Sequence, residues 1–155
     1  MDEFARPVPA PGPDGYRNPS LAADAACLRT VEGRQEILLI TRAHQPSKGR
    51  LALPGGFVDY NEDPENAVLR ELHEECGIGG RLGEVVCVRG DPARDPRKHV
   101  VTIVYIVHSE QQPIAGDDAA TAAWYGLEEC LGFADERWAF DHHAVVTIVQ
   151  EKIQS

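Results

Sequence analysis

The 155-residue chain carries 25 Asp and Glu against 15 Lys and Arg, a formal net charge of -10, with 43% hydrophobic residues. That length and apolar content suit one globular domain with a sizeable core. The acidic balance argues against a nucleic-acid partner, because general nucleic-acid binders gain much of their affinity by neutralising phosphates with Lys and Arg. A small anionic ligand would need local positive charge or a metal.

No apolar run reaches the roughly 18 residues of a membrane-spanning helix. The N-terminal "MDEFARPVPAPGPDGYRNP" lacks the basic and apolar blocks of a signal peptide. A soluble, cytoplasmic protein without a membrane partner is therefore expected. Cys27, Cys76, Cys87 and Cys130 are scattered without metal-ligand spacing. They read as reduced, buried thiols rather than a disulfide framework.

Residues 1–17 hold Pro7, Pro9, Pro11 and Pro13 with almost no apolar periodicity, and read as a flexible arm ahead of a folded domain over 18–155. "LAADAACLRT" and "EILLITRA" flank Gly33 and predict two antiparallel strands. "RLALPGG" predicts a short strand broken at Pro54. In "DPENAVLRELHEECG", Asp63 stands as N-cap, Pro64 at the first helical position and Gly77 just past the end, so a helix is predicted between them. "RLGEVVCVRG" and "HVVTIVYIVH" are Val-rich and Ile-rich strands joined by the polar "DPARDPRK". "AAWYGL" predicts a short strand before a helical turn at "LEECLG". "AFDHHAVVTIVQEKIQ" predicts a C-terminal amphipathic helix capped by Asp141. Strands interrupted by a central and a terminal helix indicate a mixed sheet packed between helices, an α/β fold.

The central helix raises a question of charge. At about 100° per residue, Glu71 and Glu75 lie about 40° apart, with Glu74 about 60° to the other side of Glu71. Val68, Leu69, Leu72 and Cys76 form the adjacent apolar stripe. Like charges at this spacing disfavour the helix by roughly 0.2 to 0.5 kcal/mol per pair, and acids near its C-terminus oppose its dipole. A bound cation would reverse both effects, and clustered carboxylates suit a hard divalent ion. A solvated acidic face, with Arg70 pairing Glu74, is the competing account of the same residues.

Gly56, Glu62, Arg70, Glu71, Leu72, Glu74, Glu75, Gly77 and Ile78 satisfy the pattern G-x5-E-x7-R-E-U-x-E-E-x-G-U, where U is a bulky aliphatic residue. Nine constrained positions in 23 residues make the match specific. The sequence resembles the Nudix hydrolases. That resemblance implies an α/β/α sandwich and cleavage of a nucleoside diphosphate linked to another moiety. It implies that Glu71, Glu74 and Glu75 ligate Mg2+ or Mn2+ with the Gly56 carbonyl, and that Glu62 and Arg70 brace the loop. Glu75, or an acid from another loop, would accept the proton of the attacking water.

Substrate choice lies outside this box. "GDPARDPRKHVVTIVYIV" resembles a segment of ADP-ribose pyrophosphatases, a subgroup also marked by a proline about 15 residues after the box glycine, here Pro92. Arg94 and Arg97 are candidate phosphate or ribose contacts, as are Arg42 and Arg50, beside His44 and Lys48. The alternative for the loop is arginines paired with Asp91 and Asp95. Asp117 and Asp118 are candidates for an extra metal ligand or a base. Trp124 reads as core rather than a stacking platform, and His142 as helix-start packing. Leu51 stands where the family often has an aromatic residue, a departure that weighs against a stacking role there.

The resemblance implies hydrolysis of ADP-ribose to AMP and ribose 5-phosphate by a homodimer in which a partner loop helps build the base pocket. Another nucleotide sugar, a dinucleoside polyphosphate or a nucleoside triphosphate is the alternative substrate. A non-catalytic ADP-ribose sensor is the alternative of another class. The complete set of box glutamates speaks against it, as does an N-terminal arm too short for a DNA-binding module.

Overall fold

Residues 8–116 and 118–155 are described by the computed structural model of the chain. β1 (Ser20–Val31) and β2 (Arg34–Arg42) form the expected antiparallel hairpin. Its turn holds Glu32 at φ 50° and Gly33 at φ 78°. Two positive values are what a two-residue loop needs to match the twist of its strands. β3 (Leu51–Ala52) and β4 (Gly55–Phe57) lie on either side of Pro54. After the helix α1 (Pro64–Cys76) come β5 (Arg81–Arg89), β6 (Val100–His108) and β7 (Ala119–Gly126). The last helices are α2 (Leu127–Leu131) and α3 (His142–Gln154).

Seven strands form one mixed sheet in the order β3-β2-β1-β6-β5, with β4 also on β1 and β7 on β2. β1 is its axis. One edge runs parallel to β6 from Ser20↔Val100 to Leu28↔His108. β1 also pairs antiparallel with β4 through Ala22, Ala23 and Asp24, and with β2 from Leu28 onward. The stretch between these two pairings brings the Pro54–Gly56 turn into the sheet, where Ala25 N–H donates to the Pro54 carbonyl at 2.8 Å.

Strand alternation sends successive side chains to opposite faces. Ala23, Ala25, Cys27, Leu38 and Ile40 meet Ala67, Val68, Leu72 and Cys76 of α1. Ala26, Leu28, Ile37 and Leu39 meet Leu127, Cys130, Trp138, Val145, Val146 and Val149 on the other side. The outcome is the expected α/β/α sandwich. Burial pushes the Cys27 and Cys76 thiols up to about 12, so they behave as small apolar groups.

α1 is punctuated as its sequence predicts. The Asp63 carboxylate accepts from Glu65 N–H at 2.8 Å, and Gly77, at φ 68°, turns the chain and donates to the His73 carbonyl. α3 departs from expectation at its start. Asp141 stands at the N-cap but makes no capping bond. Its carboxylate instead accepts from Arg89 and Arg94, because two guanidiniums outcompete backbone amides for one anion. Ahead of it Phe140 adopts φ 51°. Residues 8–19 hold no helix or strand, whereas residues 1–7 of the expected arm lie outside the described residues. Among the described residues no helix is long and apolar enough to cross a membrane.

Candidate active site

The site forms where β4 meets both β1 and α1. A Cβ on Gly56 would stand 2.6 Å from the carboxyl carbon of Glu71, and one on Gly55 would collide with the Asp24 carboxylate and the Ala23 carbonyl. Gly55 therefore permits a backbone approach that a side chain would block, and a side chain at Gly56 would displace the Glu71 carboxylate. Gly56→Ala is expected to leave the fold intact by circular dichroism while lowering turnover about a hundredfold, since misplacing a reacting group by about 1 Å has that order of effect. Undiminished turnover would detach Gly56 from the chemistry.

One guanidinium organises the acids. Arg70 donates to both Glu62 oxygens at 2.7 and 2.9 Å, to the Phe57 carbonyl at 3.1 Å, to Glu71 at 2.9 Å and to Glu74 at 3.2 Å. Glu62 also accepts from Asp59 N–H at 3.0 Å. The Arg70 bonds hold the Glu62 carboxyl down to about 2. This pair fixes the loop between β4 and α1, and of the three remaining helix acids Glu75 lines the neighbouring cleft.

Those acids differ in setting. The Glu74 side chain is 54% exposed, whereas Glu75 is buried and accepts from Gly55 N–H at 3.1 Å. Burial pushes Glu75 up to about 8 against the pull of that N–H, and the nearby Glu71, Asp24 and Asp118 add to the rise. Burial also raises Glu71, opposed by its bond from Arg70. Buried acids that favour the neutral form are poised to exchange a proton for a cation. Three carboxylates beside the Gly56 backbone, which lies close to Glu71, are a donor set that fits a hard divalent ion. Among the described residues no three acid, His or Cys side chains already surround one cation position. Glu71 and Glu74 are turned toward Arg70, and Glu75 toward the Gly55 amide.

A cleft of about 80 Å3 opens beside them, lined among others by Asp24, Phe57, Glu75, Arg42, Arg97 and Phe140. The Arg42 Nε–H donates to the Pro46 carbonyl at 2.7 Å, leaving its guanidinium face over the Phe140 ring at 5.0 Å. Arg97 is paired with Asp95 at 2.8 Å, as one reading of the loop expected. Arg94 also lines the cleft, but its partner is not Asp91. Its guanidinium donates to Asp141 at 2.9 and 3.1 Å and to the Thr102 hydroxyl at 2.8 Å, with a side chain only 8% exposed. A group so committed anchors the loop to the start of α3.

Burial would push Asp141 up, yet its bonds from Arg94 and Arg89 hold it below the ordinary carboxylate range. Arg94→Ala should therefore destabilise the protein by about 2 to 3 kcal/mol, through the charge left behind. A melting temperature equal to wild type would refute that anchoring role.

Arg50 is exposed and does not line the cleft. Asp118 is exposed at the rim, 3.7 Å from His44 Nε2, and Asp117 lies outside the described residues. Trp124 is half-buried, with the Arg29 guanidinium over its ring at 4.4 Å. His142 is buried, and its Nδ1 accepts from Leu53 N–H at 3.0 Å. That bond assigns the proton to Nε2, which faces Asp24 at 3.4 Å. Burial pushes Asp24 up to about 7 and His142 down to about 4, so a neutral imidazole bridges a strand and a buried acid. Asp24 is absent from the sequence-based site. Its signal was legible: it is the only charged residue in "LAADAACL".

A mixed sheet between helices, with a glycine turn and a helical acid cluster at one end of β1, defines the class. Residues 20–147 match the NUDIX domain family, and the chain belongs to it. It is 39% identical over 132 residues to an ADP-ribose pyrophosphatase of Methanocaldococcus jannaschii, covering 84% of this chain and 73% of that protein. It is 36% identical over 134 residues to the ADPR responsive transcriptional repressor NtrR of Acinetobacter baylyi, covering 83% of this chain but only 52% of the repressor. Among solved structures, the NUDIX domain of Shewanella oneidensis NrtR complexed with ADP ribose aligns with a TM-score of 0.81 at 29% identity, covering 92% of this chain and 93% of that one.

Proposed function

We propose that this chain is a Nudix pyrophosphohydrolase that cleaves ADP-ribose to AMP and ribose 5-phosphate. The observation that carries the reading is the buried Glu75, set against the Gly55 amide in the same cleft as Arg42 and Arg97. The 39% identity to an ADP-ribose pyrophosphatase and the likeness to a domain holding ADP ribose support the choice of substrate.

Glu71, Glu74 and Glu75, with the Gly56 carbonyl, would hold Mg2+ or Mn2+. Bound there, the ion supplies charge neutralisation along the diphosphate and a more acidic water. The protein's own groups do the rest. Arg42 and Arg97 orient the anionic substrate, Arg70 and Glu62 keep the loop rigid, and Glu75 takes the proton of the attacking water. Asp118 is the alternative proton acceptor from the rim. Arg50 contributes only long-range attraction.

A substrate panel in Mg2+ tests the reading, with ADP-ribose beside other nucleotide sugars, dinucleoside polyphosphates and nucleoside triphosphates. Oxygen-18 water would mark the phosphorus attacked. Rapid turnover of another compound with ADP-ribose spared would defeat it.

The second reading, an ADP-ribose-responsive regulator, is favoured by the 36% identity to a repressor. NrtR of Shewanella oneidensis with a 27mer DNA also aligns, with a TM-score of 0.70 at 27% identity, although this chain covers only 61% of it. The net charge of -10 weighs against a direct nucleic-acid contact by this domain. Tight ADP-ribose binding without turnover in either Mg2+ or Mn2+ would favour the regulator. A cytoplasmic homodimer, with residues 1–17 as a flexible arm, completes the proposal, and light scattering tests the dimer.

A further inference from the structure

Two phenylalanines line the cleft, Phe57 at the surface and Phe140 packed against the edge of the core. Phe57 immediately follows Gly56 and is 36% exposed. Phe140 lines the same cleft and holds a φ of 51°. A bulky side chain in that left-handed region is uncommon, and such strain concentrates at functional sites.

The faces of these rings are covered by cations. Arg97 Cζ lies 5.5 Å from the Phe57 centroid and 5.9 Å from that of Phe140. Lys98 Nζ lies 4.5 Å from Phe57, and Arg42 Cζ 5.0 Å from Phe140. A guanidinium over an aromatic face marks a π-surface that can also receive a flat ligand. Arg97 is held by Asp95 through its Nε and Nη2, and its side chain remains 43% exposed.

We propose that Phe57 is the stacking platform for the nucleobase of the substrate, covered from the other side by the Arg97 guanidinium. Phe140 serves as the rest on which Arg97 and Arg42 are positioned. The inference rests on the nucleotide part of the reading above and adds the residues that would select it. A cleft of about 80 Å3 is small for such a ligand. Pockets for drug-sized molecules usually span about 300 to 1,000 Å3. Arg97 and Lys98 must therefore lift from Phe57 as the base enters. The order along the chain is consistent: Gly56 at the acids, Phe57 one residue further, and the cationic loop above it. The diphosphate would lie over the glycine turn and the base over the ring.

The test separates the two halves of the substrate. Affinities of the four common nucleoside monophosphates and of ribose 5-phosphate are measured by calorimetry in Mg2+, where none is hydrolysed. Phe57→Leu keeps an apolar side chain but removes the π-face; it should weaken the tightest-binding nucleotide about tenfold or more and leave ribose 5-phosphate within about twofold. Phe57→Tyr should restore nucleotide affinity, and melting curves establish that both variants fold. Equal losses for nucleotide and sugar phosphate, unchanged nucleotide affinity in Phe57→Leu, or failure of every nucleotide to bind wild type would overturn the platform. If ADP-ribose is not hydrolysed while nucleotide affinity still depends on Phe57, the substrate assignment falls and the platform stands. If ADP-ribose is hydrolysed with the same KM in Phe57→Leu, the platform falls alone.

Discussion

Glu75→Gln is expected to lower kcat by about 10²- to 10⁴-fold, the span general-base removal usually commands, while leaving the fold unchanged. The amide oxygen of Gln can still accept from Gly55 N–H, so the contact at 3.1 Å survives the substitution. What disappears is the capacity to carry negative charge beside Glu71. The variant should also be at least as stable as wild type in metal-free buffer at pH 8. Wild-type Glu75, raised to about 8 by burial, is then half ionised in a site that resists its charge, whereas Gln is neutral at every pH. Lower activity with equal or higher stability is the signature of a functional group held against its own preference. Steady-state release of AMP and thermal melts in EDTA read the two effects. Near-normal turnover would remove Glu75 from both the metal site and the proton transfer.

The box was legible in the sequence because its constraints are local. Asp63, Pro64 and Gly77 mark the ends of α1 in the sequence as they do in the structure. Spacing along one helix places Glu71 and Glu75 together without any knowledge of tertiary contacts. The sandwich followed from strand runs separated by two helices. Long-range pairings were not legible. Arg94 and Asp141 stand 47 residues apart, and nothing in "DPARDPRK" signals that its first arginine turns inward while Arg97 stays near the surface. Asp141 could not be recognised as an anion partner because a helix-start Asp has a simpler local explanation. Asp24 and His142 meet only once β1 and the start of α3 pack together, 118 residues apart in sequence. Phe57 falls on an unconstrained position of the box pattern and Phe140 within the predicted C-terminal helical segment, so neither carried a signal. Their shared cleft is a product of the sheet register that sets Phe57 opposite Ala22.

The second large effect is the dependence of stability on pH and metal together. Asp24 and Glu75 are carboxyls raised to about 7 and about 8, so the stability they contribute is fully present below their unfolded values near 4. It is lost as pH rises through 7 and 8. His142 acts oppositely: lowered from 6.5 to about 4, its contribution is present above 6.5 and lost as pH falls toward 4. Between pH 6.5 and 8 the histidine has nearly finished contributing and the two acids dominate. Summing the three shifts over that window gives a fall of about 2 kcal/mol in metal-free protein. For a chain of this size that is a drop of about 4 to 8 °C in Tm. On the proposed reading, a divalent ion held at Glu75 would favour its ionised form and oppose the trend. At a hundredfold excess over its Kd it stabilises by about 2.7 kcal/mol, enough to cancel the fall. Melts in EDTA should therefore decline from pH 6.5 to 8, and melts in excess Mg2+ should stay level. The double variant Asp24→Asn, Glu75→Gln should show neither the decline nor the Mg2+ response. A wild-type profile that is flat in EDTA would mean that both carboxyls ionise freely, and the case for a cation-dependent site at Glu75 would lose its electrostatic basis.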